Sequence, residues 1–220
     1  MPDLDAALSM SFWLNIPSAG STWDAIIAFS ATDTRNHFKL HNIGNNLSFS
    51  FTGGLVGADY SIDYSNKFNA WHHIVMVKPQ GTVQGLEMFI DGVRVGVTQT
   101  FPSNGADPAT TAWDNQTVSE FYLFGNGRSY TAAGFGSNRT GRVFILDELG
   151  TYSKALSHNT TNAGDVATGE VGDIYNSGNF VDLTSISGVN LQKYFKFGDH
   201  SSDVITCLLY TSDAADDDAC

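Results

Sequence analysis

The adjacent acids Asp147-Glu148 are the most chemically suggestive pair in the sequence. Acid/base cleavage of a glycosidic bond needs two carboxyls facing one another across the sugar. Both acids fall in the apolar run Arg142–Tyr152, which reads as a strand. Neighbours on a strand point to opposite faces, so the pair is not expected to work as a catalytic dyad. Asp147 is read instead as a calcium ligand or as a carboxylate that orients a loop by accepting hydrogen bonds. Calcium takes six to eight oxygens, and Glu148, Asp5 and the backbone near the N-terminus are the candidate companions. His72-His73 would diverge in the same way, and no third His or Cys stands at zinc spacing. One of the two is expected packed in a sheet and the other exposed. Ser, His and Asp are all present, but no G-x-S-x-G elbow presents a nucleophile.

Binding chemistry is better represented. A sugar ring stacks its C–H face on an aromatic side chain while amides and carboxylates take its hydroxyls. Trp113, Asp114 and Asn115 stand together in a long polar segment, Phe101–Thr117, and Tyr130 stands in the Gly- and Ser-rich stretch 126–141. These four are the candidate ligand-binding residues. Tyr60 and Tyr64 lie in further polar stretches. The competing reading for each is an aromatic that covers a loop against the core. Trp13 and Trp71 read as sheet residues with structural work.

The elements that must position these groups are strands. Ser9–Ile16 and Trp71–Lys78 alternate with period two. Trp23–Ser30 is an apolar strand, and Phe38–His41 with Leu47–Phe51 reads as a hairpin about Gly44-Asn45-Asn46. Leu86–Ile90 and Val93–Val97 flank Asp91-Gly92, the residue pair that suits a type I′ hairpin turn. Glu120–Gly125, Arg142–Tyr152 and Leu191–Phe197 complete the set, and Asp165–Tyr175 reads as a short helix. The pattern is all-β: a two-sheet antiparallel jelly-roll sandwich with one short helix.

With 220 residues, 42% hydrophobic and 12% aromatic, the chain can bury a core without staples. The net charge of −12 argues against nucleic acid and anionic membrane as partners. It suits calcium, neutral sugars and simple solubility. Both cysteines, Cys207 and Cys220, lie in the tail, so no disulfide framework is expected. No apolar run reaches spanning length, and no signal peptide is visible at Met1-Pro2-Asp3-Leu4-Asp5. Residues 1–198 read as one sandwich with a trailer, and 199–220 as a disordered or artefactual tail. The stretch Cys207–Cys220 resembles the translated read-through of a sequencing adapter.

Four segments in order resemble the laminin-G-like family, of concanavalin-A-like fold. They are Ser11-Phe12-Trp13-Leu14, Trp71-His72-His73-Ile74-Val75, Met88-Phe89-Ile90-Asp91-Gly92-Val93, and Phe144-Ile145-Leu146-Asp147-Glu148-Leu149 with Ala155-Leu156-Ser157. The resemblance implies a sandwich and places an acidic group of the family at Asp147. The E-x-D-x-E strand of the related glucanases is absent. Asp173-Ile174-Tyr175-Asn176-Ser177-Gly178, Asp182-Leu183-Thr184 and Tyr194-Phe195-Lys196-Phe197-Gly198-Asp199 resemble a trailer that accompanies such domains in marine phage virion proteins. The expectation is a non-catalytic module, virion-associated or extracellular. Its partners would be a glycan or cell-surface polysaccharide and other virion proteins, without membrane insertion. A purely structural virion domain and a polysaccharide-degrading enzyme are the alternatives.

Overall fold

A computed structural model of the chain describes residues 6–30, 37–53, 56–80, 85–101, 120–123 and 144–197. The first sheet holds β1 (Leu8–Asn15), β6 (Trp71–Lys78), β7 (Glu87–Ile90), β8 (Val93–Val95), β11 (Ile145–Tyr152) and β12 (Leu191–Phe195), in the order β12-β11-β1-β6-β7-β8. The second holds β2 (Gly20–Ser30), β3 (His37–Gly44), β4 (Asn46–Gly53), β5 (Val56–Asp63), β9 (Thr98–Phe101) and β10 (Glu120–Leu123), in the order β10-β2-β3-β4-β5-β9. Neighbouring strands pair antiparallel throughout. One α-helix, α1 (Gly169–Tyr175), lies in the trailer. The expected jelly-roll sandwich with one short helix is what the chain forms. The strands at the edges of the first sheet are short: β8 has 3 residues and β12 has 5.

Alternation explains the core between the sheets. Met10, Phe12 and Leu14 of β1 and Ile74 and Met76 of β6 face Phe38, Leu40, Phe49, Phe51, Tyr60 and Ile62 of the second sheet. Each such side chain, fully buried, stabilises by about 1.5–3 kcal/mol. The Asp91-Gly92 turn has both residues at positive φ, 52° and 71°, as the hairpin requires. The strand β5 is absent from the sequence reading. Its inward residues Ala58, Tyr60 and Ile62 alternate with Gly57, Asp59 and Ser61, small or acidic residues of low strand propensity, so the apolar signal is thin.

A second core lies on the outer side of the first sheet. Val75 and Val77 of β6, Phe89 of β7 and Tyr152 of β11 pack against Leu156, Ala167, Val171, Ile174, Leu183 and Val189. The trailer therefore leaves β11, crosses the outer face, and returns as β12 to pair with β11. Outward polar groups of the sheet anchor it. Ser9 Oγ donates to Lys154 O and accepts from Leu156 N–H, at 2.8 and 3.0 Å. Glu87 holds Arg94 and His158, each at 2.6 Å. Glu170 accepts from Lys154 Nζ at 2.6 Å and from Ser157 N–H at 2.7 Å.

The fit is tight. A Cβ on Gly92 would lie 2.5 Å from Cδ1 of Tyr175, and one on Gly150 would lie 2.7 Å from Cδ1 of Leu183. Gly92→Ala is expected to destabilise by roughly 1–3 kcal/mol, from positive φ and overpacking together. In a Tyr175→Ala background the cost should shrink to the backbone part, and denaturant titration of the four proteins measures the difference. Burial alone would push the Glu170 carboxyl up, but its bonds to Lys154 and Ser157 outweigh this and hold it below its ordinary value. A lowered folded value means the stabilisation is present at neutral pH and lost as pH falls below about 4.5. Glu170→Gln should flatten that part of the melting-midpoint profile.

Candidate functional site

The acidic pair sits on a β-bulge. The register between β1 and β11 runs Ser11↔Gly150 and then Trp13↔Asp147, which sets two residues of β11 against Phe12. Glu148 takes positive φ, 51°. The extra residue lets Leu146 and Leu149, three apart, both reach the core between the sheets. Asp147 pairs with Trp13, and Glu148 is the extra residue of the bulge. Burial, with a smaller contribution from the Glu148 charge, raises the Tyr152 phenol. Both acids are buried, at 1% and 6% exposure. Asp147 Oδ1 accepts the Glu148 N–H at 2.8 Å, so it closes the bulge. A calcium ion here would need more oxygens than the pair could give. No group of three or more His, Cys, Asp or Glu gathers among the described residues, and Asp5 lies outside them. The remaining oxygens would come from backbone or from outside the described residues.

The histidine pair divides as alternation demands, with one departure. His73 is buried on the outer side, 5.7 Å from the Tyr175 ring and 5.2 Å from Trp13. Burial lowers its pKa to about 4, with the Asp91 charge working weakly the other way. His72, expected exposed, is half-buried, and its Nδ1 lies 2.7 Å from Asp91 Oδ2. Asp91 Oδ1 also accepts the His73 N–H at 2.9 Å. The turn residue therefore clamps the first turn of β6. Tyr64 stacks edge-on to His72 at 5.9 Å and is itself fully buried. Burial, assisted by the Asp91 charge, pushes its phenol up. The Tyr–His–Asp grouping has the residue types of an elimination site, but its phenol is fully buried.

The outer face of the second sheet is polar. Lys39, Ser50 and Asp59 oppose one another across β3, β4 and β5, and His41, Ser48 and Ser61 form the next row. Sequence alternation would send these outward to water, yet Lys39 and His41 are 3% and 0% exposed. Burial and the Lys39 charge lower the His41 pKa to about 3, against a backbone hydrogen bond that raises it. Burial raises the Asp59 carboxyl, although Ser50 and Lys39 pull it down. These residues were missed because their polar types at period two read as a solvated face.

Trp113, Asp114, Asn115 and Tyr130 lie outside the described residues. The described strand ends bear on them indirectly. Phe101, which pairs with Asp59, and Glu120, which pairs with Ser30, lie at one end of the second sheet. Ile145, which pairs with Asn15, opens β11. Tyr60 and Tyr64, read as residues of polar stretches, are core side chains instead.

The buried imidazoles give a pH prediction. Both have folded pKa values below the ordinary 6.5, so the unfolded chain binds their protons first. Stability should be full above about pH 6.5 and fall progressively as pH drops through 6.5 toward 4. His73→Gln is expected to lower the neutral-pH midpoint but reduce its slope in that window, as followed by thermal melts from pH 7.5 to 4.

No curated protein sequence matches the chain. Among solved structures, the binding domain of botulinum neurotoxin serotype D/C aligns with a TM-score of 0.53 and 14% identity, covering 80% of this chain and 38% of that one. A binding domain of botulinum neurotoxin DC in complex with rat synaptotagmin II aligns at 0.51 and 13% identity, over 80% of this chain and 37% of that one. A botulinum neurotoxin type C structure, described in terms of interaction with two ganglioside molecules, aligns at 0.50 and 13%, over 80% and 37%. The chain thus spans little more than a third of each of these, and the likeness is one of fold. A family model for the concanavalin A-like lectin/glucanases superfamily matches residues 2–162. With that span, its four ordered motifs and two antiparallel sheets, the chain belongs to the concanavalin A-like lectin/glucanases superfamily, as a Laminin_G_3 domain.

Proposed function

We propose that this chain is a non-catalytic recognition module for a glycan or cell-surface polysaccharide, working outside the cell or on a virion. The superfamily spans lectins and glucanases, and the observation that favours the first is the fate of the acidic pair. Asp147 and Glu148 lie buried on the bulge, with Asp147 tied to the Glu148 backbone. A glycosidase needs such carboxyls open to the sugar from both sides of the bond. The phenol of the Tyr64–His72–Asp91 grouping is likewise buried. The toxin domains that contain a similar fold are described with gangliosides and with synaptotagmin, which supports a reading of surface recognition.

The virion setting is supported by the trailer's resemblance, and Trp113, Asp114, Asn115 and Tyr130 remain part of the proposal as ligand contacts. Calcium at Asp147 is a further part. An ion bound only by the folded chain raises the melting midpoint in calcium over chelator, and an unchanged midpoint removes it. Among the described residues no helix is long and apolar enough to cross a membrane.

Incubation with a panel of marine polysaccharides tests the function. Retention on one or more of them, with no release of reducing ends or unsaturated sugars, is expected. Release of either product overturns the non-catalytic reading, and retention on none favours a purely structural module.

A further inference from the structure

The trailer covers the middle of the first sheet's outer face but not its end. There the register aligns Ile145 of β11, Asn15 of β1 and Trp71 of β6 in one row, and Asp147, Trp13 and His73 in the next. Directly paired residues share a face, and diagonal neighbours one row apart are within reach of aromatic side chains. Ile145 is 38% exposed, and Trp71 and Asn15 are half-buried. Phe180, from the trailer, is 37% exposed and lies 4.8 Å from the Trp13 ring. Apolar and aromatic surface therefore stays open at the margin of a face whose remainder is sealed.

A polar observation singles out the same row. Asn15 Oδ1 is turned inward and makes no hydrogen bond among the described residues. An amide acceptor buried without a partner costs free energy. A half-turn of the amide would present that oxygen to a hydroxyl above Trp71. Among the described residues neither row carries a Lys or Arg to compensate a sulfate or carboxylate, and the chain's net charge of −12 opposes one.

We propose that this end of the first sheet is a sugar-binding site for a neutral hexose residue, with Trp71 as the stacking platform, Asn15 as the hydroxyl acceptor, and Ile145 and Phe180 as apolar flanks. It rests on the glycan-recognition reading and deepens it by naming the seat and the charge class of the ligand.

The test uses the full chain with neutral β-glucan and mannan, and with alginate as the acidic comparison, by affinity electrophoresis and tryptophan fluorescence. Wild type should bind a neutral polymer in preference to alginate. Trp71→Ala should weaken binding about tenfold, the scale of one lost aromatic contact. Asn15→Leu and Phe180→Ala should each weaken it several-fold, and Val166→Ala, an exposed apolar residue elsewhere on the trailer, should bind as wild type. If Trp71→Ala does not fold, Trp71→Phe and Phe180→Ala decide. Binding by wild type that these variants leave intact overturns the site while recognition stands. Preference for alginate overturns the neutral assignment. Binding of no polysaccharide by wild type overturns the recognition reading itself.

Discussion

The middle of the first sheet is apolar on both faces, and a sheet of that kind must be covered twice. Along β6, Ile74 and Met76 enter the core between the sheets while Val75 and Val77 enter the core beneath the trailer. Phe89 does the same for β7, whose neighbours Met88 and Ile90 face inward. In a two-layer sandwich the outer set would meet water, losing the hydrophobic stabilisation of several large side chains. The trailer supplies the third layer, and most of its fixed points follow from that need. The Ser9 bonds, the Glu87 pairing with Arg94 and His158, and the glycine approaches at Gly92 and Gly150 set its position.

Burial on this scale changes what the polar groups can do. His73, Tyr64, Asp147 and Glu148 have the types of catalytic residues, yet each is enclosed, and the shifted ones are shifted chiefly by loss of water. The second sheet's outer face follows the same logic. Its row of Lys39, Ser50 and Asp59 is an enclosed polar ladder, and such a ladder favours one strand register, because a slipped strand would strand its groups without partners. Chemistry open to a ligand is left to margins, where aromatic and amide groups meet solvent.

The sequence made the strands legible wherever both signals agreed, apolar alternation and turn chemistry. Trp71–Lys78 matches β6 residue for residue, and Asp91-Gly92 forms its turn. The helix was readable near residues 165–175 and spans Gly169–Tyr175. Where β5 carries glycine and acid on its outward side, the signal failed. The bulge at the acidic pair was not read from the sequence, because the residue that takes positive φ there is Glu148 and not a glycine. Likewise the half of β6 that faces outward gave no hint of its cover, because the residues that seal it, from Leu156 to Val189, come far later in the chain. The ligand residues expected at Trp113, Asp114, Asn115 and Tyr130 lie outside the described residues.

The shortness of the outermost strands bears on how many such modules can share a small area. An open strand edge is a template for another chain, and its risk grows with its length. Here β8 and β12, the edges of the first sheet, offer only 3 and 5 residues, against 8 in each of β1, β6 and β11. Copies crowded along those edges would find little backbone to zip together. For the first sheet, dense multivalent display, which multiplies weak individual contacts into firm attachment, is thereby open without the aggregation that longer edges would invite.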